Sequence, residues 1–424
     1  MRIAVLTSGT RGDAQPFAAL GRELRLRGHD VLYCSHERFR PMALEQGLEF
    51  ASLSDELLEL LDEKAGREAI ENRGSPFGLM SRARGILRRM LDAQWAACRD
   101  AQALLFHPKA AGGLHIAEKL RIPAVIGLPL PFMVPTRAFP VPLPLFSAFS
   151  LGGLSNRLTY ELAKALTLFY AGTLRKWRRE VLGLPARTAG TGWRSVRGRA
   201  LPVLHGISPS VLPRPSDWPQ CAHMTGYWFS RLPPPPLDED LETFLGQGPA
   251  PVYVGFGSMA GTRPQTLGEI IAEALERAGL RGVAATGWGG AAFSEAVRKA
   301  APSTLRIIDQ APHETLFPRL AAVVHHGGAG TTGAGLRAGK PTLICPFMAD
   351  QFFWGNLIHA RGLGPRPIPQ RRLTAVNLAE ALKRCVSDAS LRRLAGETGA
   401  LIRAEDGLSR AADIAERAFG ARTS

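Results

Sequence analysis

The chain reads as a doubly wound parallel α/β protein built in two halves. Three observations predict this. Short apolar runs alternate with helical stretches from the first residues. The alternation restarts after four consecutive prolines, Pro233 to Pro236. Glycine-, hydroxyl- and acid-bearing motifs sit where strands give way to helices. Ile3–Thr7 is the first apolar run, ended by Ser8-Gly9. Phe17, Leu20, Leu24 and Leu26 then fall broadly on one helical face, Gly28 stops that helix, and Val31–Cys34 is the next strand. Further strands are expected at Ala103–Phe106 and Ala124–Gly127. Residues 56–100 and 155–182 read as long helices with mixed faces. The prolines form a stiff extended linker. Beyond it, strands are expected at Val252–Phe256, Gly282–Ala285, Leu305–Ile308, Ala322–His325 and Thr342–Cys345, with a helix over Leu267–Ala278. From Thr374 onward the chain reads as helical. The expected division is 1–230, a linker at 231–240, 241–405, and a last helix over 406–424.

The length of 424 residues allows two or three domains. With 45% hydrophobic and 21% charged residues, a wholly disordered chain is excluded. Lys and Arg number 52 against 37 Asp and Glu, a net charge of +15 that asks for an anionic partner without naming it. The five cysteines form no C-x-x-C pair, which favours a reducing, cytoplasmic setting over a disulfide framework. Met1-Arg2 runs directly into the first strand, with no pattern of a cleaved leader. Ile122–Ser155 carries only Arg137 as a charge, but seven prolines from Pro123 to Pro144 break it too often for a spanning helix. Two basic clusters flank this segment: Arg82, Arg84, Arg88 and Arg89, then Arg175, Lys176, Arg178 and Arg179 around Trp177. A solvated helix face is the plain reading of each; peripheral contact with an anionic membrane, at its inner face, is the sharper one. No recognisable reader motif supports nucleic acid.

Three constellations can carry chemistry, all at strand-to-helix junctions. In Ser8-Gly9-Thr10-Arg11-Gly12-Asp13-Ala14-Gln15-Pro16, the glycines permit close backbone approach, and Thr10 and Arg11 can bind phosphate oxygens. Asp13 is either a helix N-cap or a carboxylate acting as general base on an acceptor hydroxyl. The run is not G-x-G-x-x-G, which argues against NAD. In His325-His326-Gly327-Gly328-Ala329-Gly330-Thr331-Thr332, three glycines and two hydroxyls open a helix, which suits a diphosphate. Adjacent histidines at a strand end point to opposite faces, so a shared metal is disfavoured. Pro346-Phe347-Met348-Ala349-Asp350-Gln351 offers an acid–amide pair for vicinal hydroxyls, with an N-cap as the plain alternative for Asp350. Asp238-Glu239-Asp240 formally matches a metal-binding D-x-D, but directly after the prolines it reads as a solvated helix start.

Taken together, these motifs resemble the glycosyltransferase family that includes the sterol glucosyltransferases and the glycosyltransferases of glycopeptide antibiotics. The resemblance runs through Gly9–Pro16, Gly255-Phe256-Gly257-Ser258-Met259, Gln310-Ala311-Pro312-His313, His325–Thr332 and Asp350-Gln351, in that order. It implies a GT-B architecture of two Rossmann-like domains facing across a cleft, the last helix crossing back to the first. It also implies inverting, metal-independent transfer from a nucleotide-diphosphate sugar. Related plant enzymes place a histidine base where Asp13 stands; glycopeptide-type members have an aspartate. By the same resemblance, His325, Gly327, Gly328, Gly330 and Thr331 hold the diphosphate with Thr10, Arg11, Gly12 and Ser258. Asp350 and Gln351 hold the sugar, and Gln310 and Ala311 the nucleotide base. Gln310 replaces a tryptophan that plant members stack on uracil, which leaves UDP ahead of TDP but not alone.

The first half shapes the acceptor site in this fold, and residues 128–155 are rich in Pro, Phe and Leu. An apolar alcohol such as a sterol, polyketide or lipid is expected. The alternatives are a polar antibiotic or glycolipid acceptor served by a TDP-sugar, and a non-catalytic nucleotide-binding partner subunit. Intact Asp13 and Asp350-Gln351 argue against the last.

Overall fold

The computed structural model describes residues 1–62, 76–143, 146, 152–166, 168–185, 195–196, 199–256, 264–287, 292–294, 304–348 and 350–420. Seven strands form the first sheet: β1 (Arg2–Leu6), β2 (Asp30–His36), β3 (Glu49–Leu53), β4 (Ala103–Phe106), β5 (Ala124–Leu128), β6 (Val203–His205) and β7 (Ala222–Met224). Their order is β3-β2-β1-β4-β5-β6-β7, and every pair is parallel. The second sheet holds β8 (Val252–Gly255), β9 (Gly282–Ala285), β10 (Leu305–Ile308), β11 (Ala322–His325) and β12 (Thr342–Ile344), ordered β10-β9-β8-β11-β12 and again parallel. Both central strands are buried on both faces: Ile3, Val5 and Leu6, like Val252 and Val254, are 0% exposed. Near-continuous apolar runs of this kind are what a helix-covered parallel sheet requires.

Helix α1 (Arg11–Leu26) buries Phe17, Leu20 and Leu24 against the first sheet. Leu26, expected on the same face, is 61% exposed. Two residues beyond Leu24 it lies about 200° round the helix, on the solvent side. Gly28 ends the turn at φ +89°, in the left-handed region that favours glycine. The second basic cluster also departs from expectation. In helix α2 (Leu168–Glu180), Trp177 is fully buried and Arg178 is 2% exposed, clamped bidentately on Glu118 at 2.6 and 2.7 Å. Only Arg175, Lys176 and Arg179 of that cluster face solvent. The first cluster is likewise tied down: Arg88 pairs with Asp92 and Glu180, and Arg89 with Glu56. Asp238 caps the helix Glu239–Gly246, accepting the Leu241 N–H at 2.8 Å, and Arg306 pairs with Asp240.

The two halves meet in a shared core. Val134 and Phe139 of the first half share a core with Leu336, Ile344, Phe353, Trp354 and Ile358 of the second. The Phe139 and Phe353 rings lie 5.2 Å apart. The last described helix, α3 (Gly407–Gly420), packs on α1 rather than on the second sheet. Leu408, Ala411, Ala412, Ala415 and Phe419 join the core of Phe17 and Leu20. Arg27 binds Asp413 and Glu416 at 2.6 and 2.9 Å, and His29 meets Glu416 at 3.0 Å. No helix among the described residues is long and apolar enough to cross a membrane.

Phe419 is 5% exposed and sits at the far end of this clasp. Phe419→Ala is expected to cost about 3–5 kcal/mol through lost burial and a residual cavity. Chemical denaturation followed by tryptophan fluorescence would show an earlier midpoint; an unchanged midpoint would mean that the last helix contributes little to the fold.

Candidate active site

In an open parallel sheet, a crevice forms where neighbouring connections run in opposite directions. The first sheet has that point between β1 and β4, the second between β8 and β11. Ile3–Leu6 pairs with Ala103–Phe106, and Gly255 with His325, so the loops after these strands emerge side by side.

At the first junction, Thr10 is the N-cap of α1, with extended backbone at φ −82° and ψ 176°. Asp13 is therefore the third residue of the helix and not its cap. Its Oδ2 accepts the Thr10 N–H at 2.9 Å and the Thr10 hydroxyl at 3.2 Å. Gly9 turns at φ +124°, and a Cβ there would overlap Asp13 Oδ2. Lys109, in the loop after β4, donates from Nζ to both carboxylate oxygens of Asp13 at 2.8 and 2.7 Å. The Asp13 side chain is 6% exposed and that of Lys109 47%. His107 is fully buried; its Nδ1 accepts the Lys109 N–H at 3.1 Å, and its Nε2 stands 3.6 Å from Asp13 Oδ1.

Burial alone would raise the Asp13 carboxyl, but the Lys109 ammonium and the bonds to Thr10 outweigh it and hold the group below its ordinary range. Burial drives His107 down to about 3, so near neutrality it carries no charge and Lys109 is the compensating cation. Neither Lys109 nor His107 figured in the sequence reading. Their signal was there: His107-Pro108-Lys109 directly follows a predicted strand, the position where α/β sheets place ligand groups.

At the second junction, His325 ends β11 and is completely buried. Its Nδ1 accepts the Gly327 N–H at 2.9 Å, which places the ring proton on Nε2, an atom with no partner. Burial holds His325 well below the ordinary histidine range, so it is a neutral donor and not a cation. Gly327 turns at φ +100°, where a Cβ would come within 2.7 Å of Ile344 Cγ2. Gly328 is the N-cap of α4 (Ala329–Arg337) at φ −61° and ψ 139°. Thr331 is half-buried, and a Cβ on Gly330 would meet open space. The first backbone N–H groups of α4 have no partner within the helix, which leaves a donor cluster beside an open volume.

Asp350 stands at the start of α5 (Gln351–Ala360) but makes no capping bond; its Oδ2 instead accepts the Trp354 indole N–H at 2.9 Å. Burial pushes its carboxyl up to about 6 against that bond, and the nearby Lys109 and Asp13 pull it in opposite senses. Asp350 of the second half thus lies within the electrostatic reach of the Asp13–Lys109 pair of the first. Gln351 Oε1 accepts the N–H groups of Phe347 and Met348 at 2.7 and 3.0 Å. Its oxygen holds the loop, and only its amide nitrogen remains to meet a ligand. Arg11 and Gly12 are exposed in the first turn of α1; Arg11 Nε donates to Gln15 at 3.0 Å, and its charge is felt at His313 across the cleft. His313 stacks on Phe317 at 4.3 Å, with Gln310 exposed and Ala311 half-buried just before it. Ser258 lies outside the described residues.

Residues 3–138 match the glycosyltransferase family 28 N-terminal domain, and residues 291–410 match the erythromycin biosynthesis protein CIII-like C-terminal domain. A sterol 3-beta-glucosyltransferase of Emericella nidulans is 35% identical over 97% of this chain, and that of Komagataella phaffii 34% identical over 97%. The chain spans only 29% and 34% of the length of these two relatives. Among solved structures, the glycotransferase of kitacinnamycin superposes over 99% of both chains with a TM-score of 0.72 at 20% identity. The fold is thus GT-B.

The two glycines of the first loop differ in what they tolerate. Gly9→Ala forces a side chain into a left-handed backbone and onto the Asp13 carboxylate, and is expected to destabilise by about 1–3 kcal/mol. Gly12, with no atom nearer than the Thr10 hydroxyl at 3.8 Å, should accept alanine at no loss. Comparing both variants in urea decides the matter: equal midpoints would mean that Gly9 does not hold the carboxylate in place.

Proposed function

We propose that this chain, which belongs to the glycosyltransferase family of the sterol glucosyltransferases and antibiotic glycosyltransferases, moves a hexose from a nucleotide-diphosphate sugar to an apolar alcohol. UDP is the preferred nucleotide, and a sterol, polyketide or lipid the acceptor. The observation that carries the reading is the ionised, buried Asp13 at the β1/β4 junction, with Asp350 of the other half in its electrostatic reach. That the relatives are sterol 3-beta-glucosyltransferases supports the acceptor class.

In this reading the halves are residues 1–230 for the acceptor and 241–405 for the donor, with 231–240 as linker and 406–424 returning to the first half. The diphosphate rests on the N–H groups of Gly327, Gly328, Gly330 and Thr331, with Thr10, Arg11, Gly12 and Ser258 closing over it. The unpartnered Nε2–H of His325 supports its role as one more neutral donor. Gln310 and Ala311 border the nucleotide base, while Asp350 and the amide nitrogen of Gln351 take sugar hydroxyls. The acceptor oxygen forms a bond to the anomeric carbon from the side opposite the diphosphate. The bond from that carbon to the diphosphate oxygen breaks, and its electron pair leaves with the nucleotide. The acceptor proton goes to Asp13 Oδ, and the leaving charge falls on the loop amides, His325 and Arg11. Closure of the halves excludes water and so limits donor hydrolysis.

Phe132, whose ring centroid lies 6.5 Å from that of His107, supports an apolar acceptor beside the base. Four of the five free cysteines are buried, which suits a reducing cytoplasm, and a lipid acceptor would bring the protein to the inner face of a membrane.

Asp13→Ala is expected to reduce transfer by about 10²–10⁴-fold while leaving nucleotide affinity nearly unchanged. Initial rates with a UDP-sugar and a sterol, set beside calorimetric titration of UDP, test this; retained turnover removes Asp13 as the base. Asp350 yields a pH signature. With its carboxyl raised to about 6, it is ionised at neutral pH and becomes protonated as pH falls through that value, losing acceptor capacity for sugar hydroxyls. Donor affinity should therefore weaken on the acid side of about 6, and Asp350→Asn should flatten that step. A step that persists in the variant assigns it elsewhere.

A further inference from the structure

The helix Gly153–Leu166 is amphipathic the wrong way round for a buried-core helix. Asn156, Thr159 and Tyr160 face inward at 1, 5 and 3% exposure, while Leu154, Leu158 and Leu162 face solvent at 73, 58 and 52%. The leucines stand at successive intervals of four, one above another on a single face. Elsewhere among the described residues, large exposed apolar side chains occur at scattered positions, Leu44 and Val376 for example. The inward polar face has a structural purpose. Asn156 Nδ2 donates to the Arg137 carbonyl at 3.0 Å, and Thr159 Oγ1 accepts the Val141 N–H at 2.8 Å. These bonds fix both ends of the loop that carries Phe139 against Phe353. Among the described residues, the outward leucines belong to no hydrophobic core cluster.

We propose that this outer face, Leu154, Leu158 and Leu162 with Arg157 among them, rests on an anionic lipid surface. Charge supports that occupant. Arg157 is exposed between the first two leucines, and α2, the next helix along the chain, exposes Arg175, Lys176 and Arg179. The one carboxylate between the leucines, Glu161, is neutralised by Lys164 at 2.7 Å, and Glu180 of α2 is engaged by Arg88 at 3.0 Å. A second copy of this chain fits less well. Three leucines fall far short of the roughly 800 Å² per partner that a stable dimer needs, and a two-fold contact would set Arg157 near its own copy. A lipid interface asks for less, because a few apolar side chains beside cations suffice. The helix braces the loop lining the acceptor side, so docking here would bring the cleft to the source of an apolar alcohol. That last link rests on the reading of the previous subsection, whereas docking itself does not.

The test is sedimentation of the full chain with vesicles of phosphatidylcholine mixed with phosphatidylglycerol, and with phosphatidylcholine alone. Binding is expected to the mixed vesicles and not to the neutral ones. The combined variant Leu154→Ser, Leu158→Ser and Leu162→Ser should lose it about tenfold or more, and Arg157→Glu should weaken it, both with unchanged melting. Sugar transfer to a water-soluble acceptor should be the same in wild type and variants, while transfer to a sterol embedded in the mixed vesicles falls. Wild type that ignores the mixed vesicles, or a serine variant that binds as well as wild type, overturns the proposal. So does a dimer in solution that the serine variant converts to monomer. Vesicle binding is read without any sugar transfer, so docking and transferase readings can fail separately.

Discussion

The contact on which the arrangement depends is the pairing of a carboxylate and an ammonium across two neighbouring strand ends. Asp13 is 4% exposed, and an isolated charge at such a place would cost several kcal/mol in lost hydration. Lys109 meets that cost with two short hydrogen bonds, and Thr10 adds a backbone N–H. The remaining condition is space, which Gly9 supplies by having no side chain. Each partner comes from a different βα connection, so the ion pair exists only when β1 and β4 lie side by side in register. The site is therefore a property of the sheet topology before it is a property of any motif.

The second sheet repeats the geometry with the opposite chemistry. Where the first junction holds a negative group, the second presents N–H donors: the start of α4, the neutral His325 and the turn at Gly327. Burial keeps His325 and His326 uncharged, so the cradle would attract an anion through oriented dipoles, and the charge of Arg11 from the facing half reaches His313. An anion between the halves would then be gripped from both sides. Asp350 registers the same proximity, because the charges of Lys109 and Asp13 both act on it.

How much of this was legible in the sequence follows from the range of each interaction. The parallel strands and the glycine turn at Gly327 are local, written in runs of four to eight residues, and the structure places them as expected. Lys109 lies 96 positions from Asp13, and nothing local joins them. Only the strand order does. Asp13 as third helical residue, with Thr10 as cap, needed the backbone angles at Thr10 to be seen. Arg178 looked like part of a solvated basic face, yet Glu118, sixty positions earlier, draws it inside. Gln351 is expected to hold sugar hydroxyls; that its oxygen serves the Phe347–Met348 backbone, leaving the amide nitrogen for a ligand, shows only in the fold. The leucines of Gly153–Leu166 escaped for the reverse reason. At helical spacing they look like core, and only their surroundings reveal that they face outward.

A carboxylate held below its ordinary range is a weak base, which at first sight suits Asp13 poorly for the proton abstraction proposed for it. The timing of the reaction resolves this. A neutral alcohol is far too weak an acid for any carboxylate to deprotonate in advance, whatever its environment. Its proton becomes strongly acidic only as the oxygen bonds to the electron-poor anomeric carbon, and at that stage even a stabilised carboxylate accepts it. What the site must guarantee is that Asp13 is ionised and in place when that moment comes. Lys109 guarantees the charge, and Thr10 and Gly9 the position. In the proposed reaction the Lys109 side chain, 47% exposed on a flexible stem, would swing aside as an alcohol arrives, and the carboxylate would then lose its partner and gain basicity. On that proposal the ion pair would hold the carboxylate charged until the acceptor arrives and give way as the acceptor takes its place.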